Sequence, residues 1–384
     1  MKSKPRLLKR LIFIFLVLGF ISCKNSKEAE PAEFQKGEKM EIENARGFSI
    51  IRFENYSIMK VNTPWPEAED AFTYLLYEEN AQIPEDLEYD QKVEVPVESI
   101  VVTSTTHIPA LEALGQEEKL VGFPGLNYIS SEKTRKLIDA GKISELGQNE
   151  NINTEVLINL SPDVVTGFAI DASNKSFETI QKTGIPVIYN GDWTEATPLG
   201  KAEWIKFFGT LFGKEEKAKQ IFDEIKTEYL NAKELAKTSE EKPTVIAGSM
   251  YNDKWYMPYG NSWQARFIED ANANYLYSDT HGDGSLSLAF ESVLEKAQEA
   301  QFWVSAGQFA SYEQLFNESE HYRRFKAVQD KNVYSVSLSK GATGGITFYE
   351  LGPQRPDLIL KDLISIFHPN LLKDHEPVFY KPLN

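Results

Sequence analysis

The densest run of reactive oxygens in the chain is Thr103-Ser104-Thr105-Thr106, with His107 directly after it. Hydroxyls ahead of a helix start can bind an anion together with backbone N–H groups, and Ser104 is the one candidate nucleophile. A hydrolase reading needs more than that, and neither a G-x-S-x-G turn nor a recognisable acid–base pair accompanies the cluster. The loop Gly341-Ala342-Thr343-Gly344-Gly345 has the glycines of a phosphate cradle but lacks the G-K-[ST] ending and the following helix. Asp279-Thr280-His281-Gly282-Asp283-Gly284 misses the alternation and terminal glutamate of a calcium loop. The five histidines (107, 281, 321, 368, 375) form no close pair, so no dedicated metal cage is expected. His107 alone stays a candidate axial ligand to a cofactor metal.

Binding chemistry is better represented. The loops expected after strands supply Phe168, Trp193, Tyr251, Trp255, Tyr256, Tyr259 and Tyr349 besides His107. Flat aromatic faces suit a large, rigid, partly apolar ligand that gains from stacking and area burial. Arg266 and Arg355 are the basic candidates, able to face an anionic group with a planar fork. Arg355 has a rival role, because Pro356 and Asp357 open a helix there and the arginine could simply fix that loop.

These side chains need a scaffold, and the hydrophobic pattern names it. Strands are expected at Ile100–Val102, Leu120–Val121, Asp163–Val165 and Ile185–Ile188, alternating with helices at Pro109–Leu114 and Asn174–Lys182. Residues 200–238 carry no strand signal. Ala218, Ile221, Phe222, Ile225 and Tyr229 recur there at three-to-four spacing, as in one long amphipathic helix. Alternation resumes with strands at Thr244–Ala247, Phe302–Val304 and Val333–Val336 and helices at Gln264–Ala271, Ser292–Ala297 and Asp357–Phe367. The expected fold class is α/β: two lobes, each a small mostly parallel sheet with helices, bridged by one long helix, plus a short N-terminal β extension. The expected boundaries are 1–22 leader, 23–41 tether, 42–95 extension, 96–212 first lobe, 213–238 bridge and 239–384 second lobe.

Cys23 is the single cysteine, placed after a basic start and the apolar run Leu11–Leu18. That run is too short for an ordinary membrane span, and small Ser22 precedes the cysteine, so residues 1–22 read as a cleaved signal and Cys23 as a lipid attachment site. Phe20 departs from the leucine usual three residues before such a cysteine. Residues 24–40 are polar and charged, which makes a solvated tether. Removing 1–22 takes away five basic residues and no acidic one, so the net charge moves from −16 to −21. So acidic a body repels nucleic acid and anionic head groups, leaving the lipid to make the membrane contact.

Six segments then fall in order: VESIVVTSTTHIPALEALGQEEKLVGF (97–123), NINTEVLINLSPDVV (151–165), GNSWQARFIEDANANYL (260–276), FESVLEKAQEAQFWV (290–304), FKAVQDKNVYSV (325–336) and RPDLILKDLISIFHP (355–369). In this order and spacing the chain, over roughly residues 96–370, resembles the substrate-binding proteins of ABC importers that carry cobalamin, ferric siderophores or haem. The resemblance implies a monomeric receptor without catalysis or cofactor, which takes a bulky metal chelate or corrinoid to an inner-membrane permease dimer and its ATPase. It further implies that Glu155 and Glu291, one acidic residue on each lobe's rim, pair with permease arginines. An envelope hydrolase and a non-transport adhesin or scaffold are the alternatives.

Overall fold

Short buried runs of β-branched residues make the centre of each lobe. The computed structural model describes residues 37–171 and 174–384. Cys23, the 1–22 leader and the tether up to residue 36 lie outside the described residues. Met40, expected in the tether, already belongs to the body, its N–H donating to the Ile50 carbonyl at 2.9 Å.

In the first lobe the strands Ile100–Val102, Leu120–Phe123, Ser144–Glu145, Val164–Gly167 and Val187–Tyr189 are all parallel. Ile100-Val101-Val102 is buried throughout, as a strand covered on both faces must be. Across the sheet the order is 187, 164, 100, 120, 144 by first residue. Helices α1 (Ile108–Leu114), α2 (Glu132–Asp139) and α3 (Thr154–Leu160) flank it. Helix α1 stops at Gly115, whose φ of 72° closes the last turn in the left-handed region.

Strands Phe48–Arg52, Tyr56–Val61 and Phe72–Tyr77 form an antiparallel meander, with Gln91–Glu94 parallel to the third. This N-terminal sheet shares the first lobe's core: Phe48, Met59, Val61 and Leu76 lie in one buried cluster with Ile100, Val102, Leu111 and Phe208. The Tyr189 N–H donates to the Tyr74 hydroxyl at 3.0 Å, stitching the two sheets together.

Helices α4 (Pro198–Glu203), α5 (Ile205–Leu211) and α6 (Glu215–Ala236) connect the lobes. Helix α6 has 22 residues and so runs about 33 Å. Its buried stripe is divided: Ala218, Phe222 and Ile225 enter the first lobe's core, and Tyr229, Ala232 and Ala236 enter the second's. One rigid element thereby ends in two different cores. Beside it, Glu203, 0 % exposed, accepts the N–H groups of Glu43, Asn44 and Ala45 at 2.9, 2.6 and 2.8 Å and pairs with Lys206 at 2.7 Å. Glu195 accepts the N–H groups of Arg46 and Gly47, both at 2.8 Å, and the Trp204 indole N–H at 3.1 Å. The start of the body is therefore clamped onto the interlobe helices.

The second lobe holds strands Thr244–Ala247, Asn274–Tyr275, Phe302–Val304 and Val333–Ser335 in parallel and Lys381–Pro382 antiparallel at the edge. Their order is 274, 244, 302, 333, 381. Helices α7 (Trp263–Asp270), α8 (Phe290–Ala297), α9 (Thr347–Leu351) and α10 (Pro356–Phe367) accompany them. The segment 251–259, expected as a cleft loop, is instead part of a three-stranded antiparallel sheet of Ser249–Tyr251, Lys254–Pro258 and Ser285–Ala289. Its tight turn places Asn252 and Asp253 at φ 46° and 63°, the pair of positive values a two-residue hairpin of this hand demands.

A candidate ligand cleft between the lobes

Strand order locates the cleft before any side chain is considered. In an open α/β sheet, connections leave in opposite directions from two neighbouring strands, and the gap beyond their carboxyl ends is the natural crevice. In the first lobe that point lies between the strands starting at 100 and 164, whose following loops begin with Thr103 and Phe168. In the second it lies between the strands starting at 244 and 302.

A cavity of about 350 Å³ opens at the first lobe's switch point, walled by Thr103, Ser104, Phe123, Tyr128, Asn149 and Phe168 of that lobe and by Ile346, Tyr349 and Glu350 of the second. Local hydrogen bonds set these groups. Ser104 caps a short helical turn by accepting the Thr106 N–H at 3.3 Å, and its hydroxyl lies 3.0 Å from that of Thr106. Thr103 accepts the Phe168 N–H at 3.3 Å. Asn149 donates from Nδ2 to the Thr103 carbonyl at 2.9 Å, which leaves its buried Oδ1 without a partner among the described residues. The Glu145 carboxylate accepts from Gly125, Leu126 and Gly147 at 2.8 to 2.9 Å and so fixes the loop that carries Tyr128.

The lobes touch at the root of this cavity. Glu350 on α9, 4 % exposed, accepts the N–H groups of Ser130 and Ser131 at 2.6 and 2.8 Å, reaching across to the start of α2. Burial pushes its carboxyl up to about 7 against the pull of these two N–H donors, and the Glu112 charge adds to the rise. Glu112 is held by the hydroxyls of Ser131 and Thr134, both at 2.5 Å. The glycine loop 341–345 allows the approach: a Cβ on Gly341 would lie 2.7 Å from the Ser130 Cα, and one on Gly345 2.5 Å from the Ser130 hydroxyl oxygen. Its glycines serve close packing between lobes.

Of the residues singled out from the sequence, Phe168 and Tyr349 come together in the cavity. Tyr251, 68 % exposed, and Tyr256 form a separate pair on the outer face of the three-stranded sheet, ring centroids 6.4 Å apart. Tyr259 is half-buried against Gly282. Trp193 sits on a turn at the first lobe's edge, and its carbonyl accepts from Lys201 at 2.9 Å. Two expectations, those for His107 and Trp255, are corrected, and the two arginines are found in ion pairs. His107 is 0 % exposed, packed 5.4 Å from the Phe208 ring, and burial depresses its pKa against the Asp192 charge and Asn190, so it faces the core and reaches no bound metal. Trp255, 0 % exposed, packs on Trp303 at 5.1 Å in the second lobe's core. Arg266 is exposed on α7 and paired with Glu269 at 2.6 Å. Arg355 makes a bidentate bond to Asp357 at 2.8 and 2.7 Å beside the bridging helix, so its loop-fixing role prevails.

The residues that sequence reasoning passed over are Tyr128, Asn149, Glu350 and Lys201. Lys201 donates to the carbonyls of Asp192 and Trp193 at 3.0 and 2.9 Å and lies 5.1 Å from the Trp263 ring centroid. Burial pushes its ammonium down to about 8, opposed by Asp192 and Glu195. Glu155 and Glu291 are exposed in the first turns of α3 and α8. Each of these helices precedes the strand that neighbours its lobe's first strand, so the two carboxylates occupy equivalent places.

A family model described as periplasmic binding protein matches residues 100–337, the span that contains both switch points and the bridging helix. The chain belongs to the periplasmic binding protein family. That family and its fold are those of solute-binding proteins, not enzymes. Periplasmic binding proteins of known structure share the architecture here. A periplasmic haem binding protein from Pseudomonas aeruginosa superposes at a TM-score of 0.57, with 17% identity over 75% of this chain and 98% of its own. An ABC transporter substrate-binding protein from Listeria monocytogenes does so at 0.50, with 15% identity over 71% of this chain and 99% of its own. An uncharacterized lipoprotein of Methanocaldococcus jannaschii is 27% identical over 301 residues, which is 76% of this chain and 70% of the relative.

Proposed function

We propose that this periplasmic binding protein is the receptor of an importer in the cell envelope. It captures an iron chelate, either a ferric siderophore or haem, or cobalamin, and delivers it to an ABC permease dimer with its ATPase. The observation that carries the reading is the cavity itself: it spans both lobes, and its aromatic walls, Phe168 and Tyr349, come from opposite sides. A large flat ligand gains area and stacking from both. The similar structures lend support, one being a haem binding protein and another an ABC transporter substrate-binding protein. Acylated Cys23 would tether the receptor, in keeping with relatives named lipoproteins. The rod α6, rooted in both cores, favours capture with a small hinge motion. Exposed Glu155 and Glu291 would set orientation on the permease and raise the on-rate more than the affinity.

Tryptophan-quenching titration of the full chain in detergent against cobalamin, haemin and several ferric siderophores tests the receptor role. Saturable quenching by one compound with silence from the others is expected, and silence from all overturns the reading. For docking, the double variant Glu155→Lys, Glu291→Lys should lose stimulation of permease-coupled ATP hydrolysis, and unchanged stimulation would remove that role.

A further inference from the structure

The proposed reading leaves the electrical character of the ligand open, and the cavity's lining speaks to it. Apart from hydroxyl groups, the polar side chains of the lining are Asn149 and Glu350, and neither lysine, arginine nor histidine is among the described residues that form it. Both of these polar groups present acceptors. Asn149 gives one amide N–H to the Thr103 carbonyl, and its orphaned buried atom is the oxygen. Glu350 is held by two backbone N–H groups, and no cation among the described residues is paired to it. Lys201, on the helices between the lobes, has its ammonium turned to two backbone carbonyls.

A buried acceptor without a donor costs free energy until one arrives, and a second anion set beside an uncompensated carboxyl costs more. The chain's net charge of −16 adds a field of the same sign. Resting on the reading of this cavity as the ligand site, we infer that it takes a chelate whose buried end is neutral or positively charged and rich in N–H or O–H donors. Chelates that present carboxylates or ionised catecholates at that end are turned away. Asn149 and Glu350 are then the residues that read the ligand's charge.

A matched series tests this on the full chain in detergent. The probes are one ferric tris-hydroxamate carrying a pendant ammonium, the same chelate with the amine acetylated, and the same chelate with the amine succinylated to a carboxylate. The ammonium and acetyl forms should bind at least about tenfold more tightly than the succinyl form. Glu350→Gln should shrink the preference for the ammonium over the acetyl form. Asn149→Lys, which does not touch the contact between lobes, should invert the order in favour of the succinyl form. Equal affinities for all three, or tightest binding by the succinyl form or by haemin, overturn the inference and leave the receptor role standing. Silence from the three chelates, haemin and cobalamin together overturns the receptor role, and the inference falls with it.

Discussion

Two glutamates hold the molecule together across long stretches of chain, in different surroundings. Glu203 at the hinge accepts three backbone N–H groups and pairs with Lys206, so its charge is compensated on every side. Glu350 at the root of the cavity accepts two N–H groups, has no paired cation among the described residues and feels Glu112. The first arrangement belongs to a joint that stays shut. The second belongs to a contact between lobes whose strength varies with conditions, because a buried carboxyl lacking a cation is poised near neutrality. The same residue type thus makes a fixed clamp in one place and an adjustable latch in the other.

The largest effect should come from breaking the clamp. Glu203→Ala would strand three N–H groups and leave the Lys206 ammonium buried and unpaired, at a cost of about 3–5 kcal/mol. Denaturant unfolding measures it, and a loss below about 1 kcal/mol would erase the contrast drawn here. The latch sharpens the comparison through pH. An acid raised from 4.5 to about 7 keeps its proton in the folded state after the unfolded chain has lost it. Its contribution is therefore fully present below pH 4.5, declines as pH rises and is gone above about 7, on the order of 3 kcal/mol in all. Burial of His107 acts in the opposite sense, subtracting stability as pH falls through 6.5. The informative quantity is consequently the difference between the native chain and Glu350→Gln across pH 4.5 to 7, and parallel curves would deny the latch its proton.

Gly341→Ala should cost about 1–3 kcal/mol, since its methyl group would meet the Ser130 backbone and only a shift of the interlobe contact relieves it. Thermal unfolding together with ligand affinity would show whether both change. The smallest effect is expected on the second lobe's outer face: Tyr251→Ala and Tyr256→Ala should stay within about 0.5 kcal/mol of native stability. They should also leave ligand affinity unchanged, whereas Phe168→Ala lowers it about tenfold. A reversal of that order would move the ligand from the cavity to the three-stranded sheet.

Much of this architecture was legible in the chain. Buried runs such as Ile100-Val101-Val102 announce parallel strands, and the spacing from Ala218 to Tyr229 announces the rod. The site was read less well, for physical reasons. Aromatic type alone does not distinguish a cleft wall from a core filler, and Trp255, expected in the cleft, fills the second lobe's core. His107 ends the hydroxyl cluster that does line the cavity, yet the helical turn begun by Ser104 rotates it into the core. Glu350 gives no local signal, because its partners Ser130 and Ser131 lie some 220 residues away in the other lobe. One clue was available in advance: Asn252-Asp253 between alternating residues marks a hairpin rather than a loop.

The central claim is that a ligand is gripped between the lobes, and a crystal structure of the full chain with its tightest-binding chelate tests it most directly. The account predicts the chelate in contact with Phe168 and Tyr349, a donor group facing Asn149 Oδ1 or Glu350, and an unbent α6. A chelate bound on the Tyr251 and Tyr256 face, with the cavity between the lobes left empty, would contradict it.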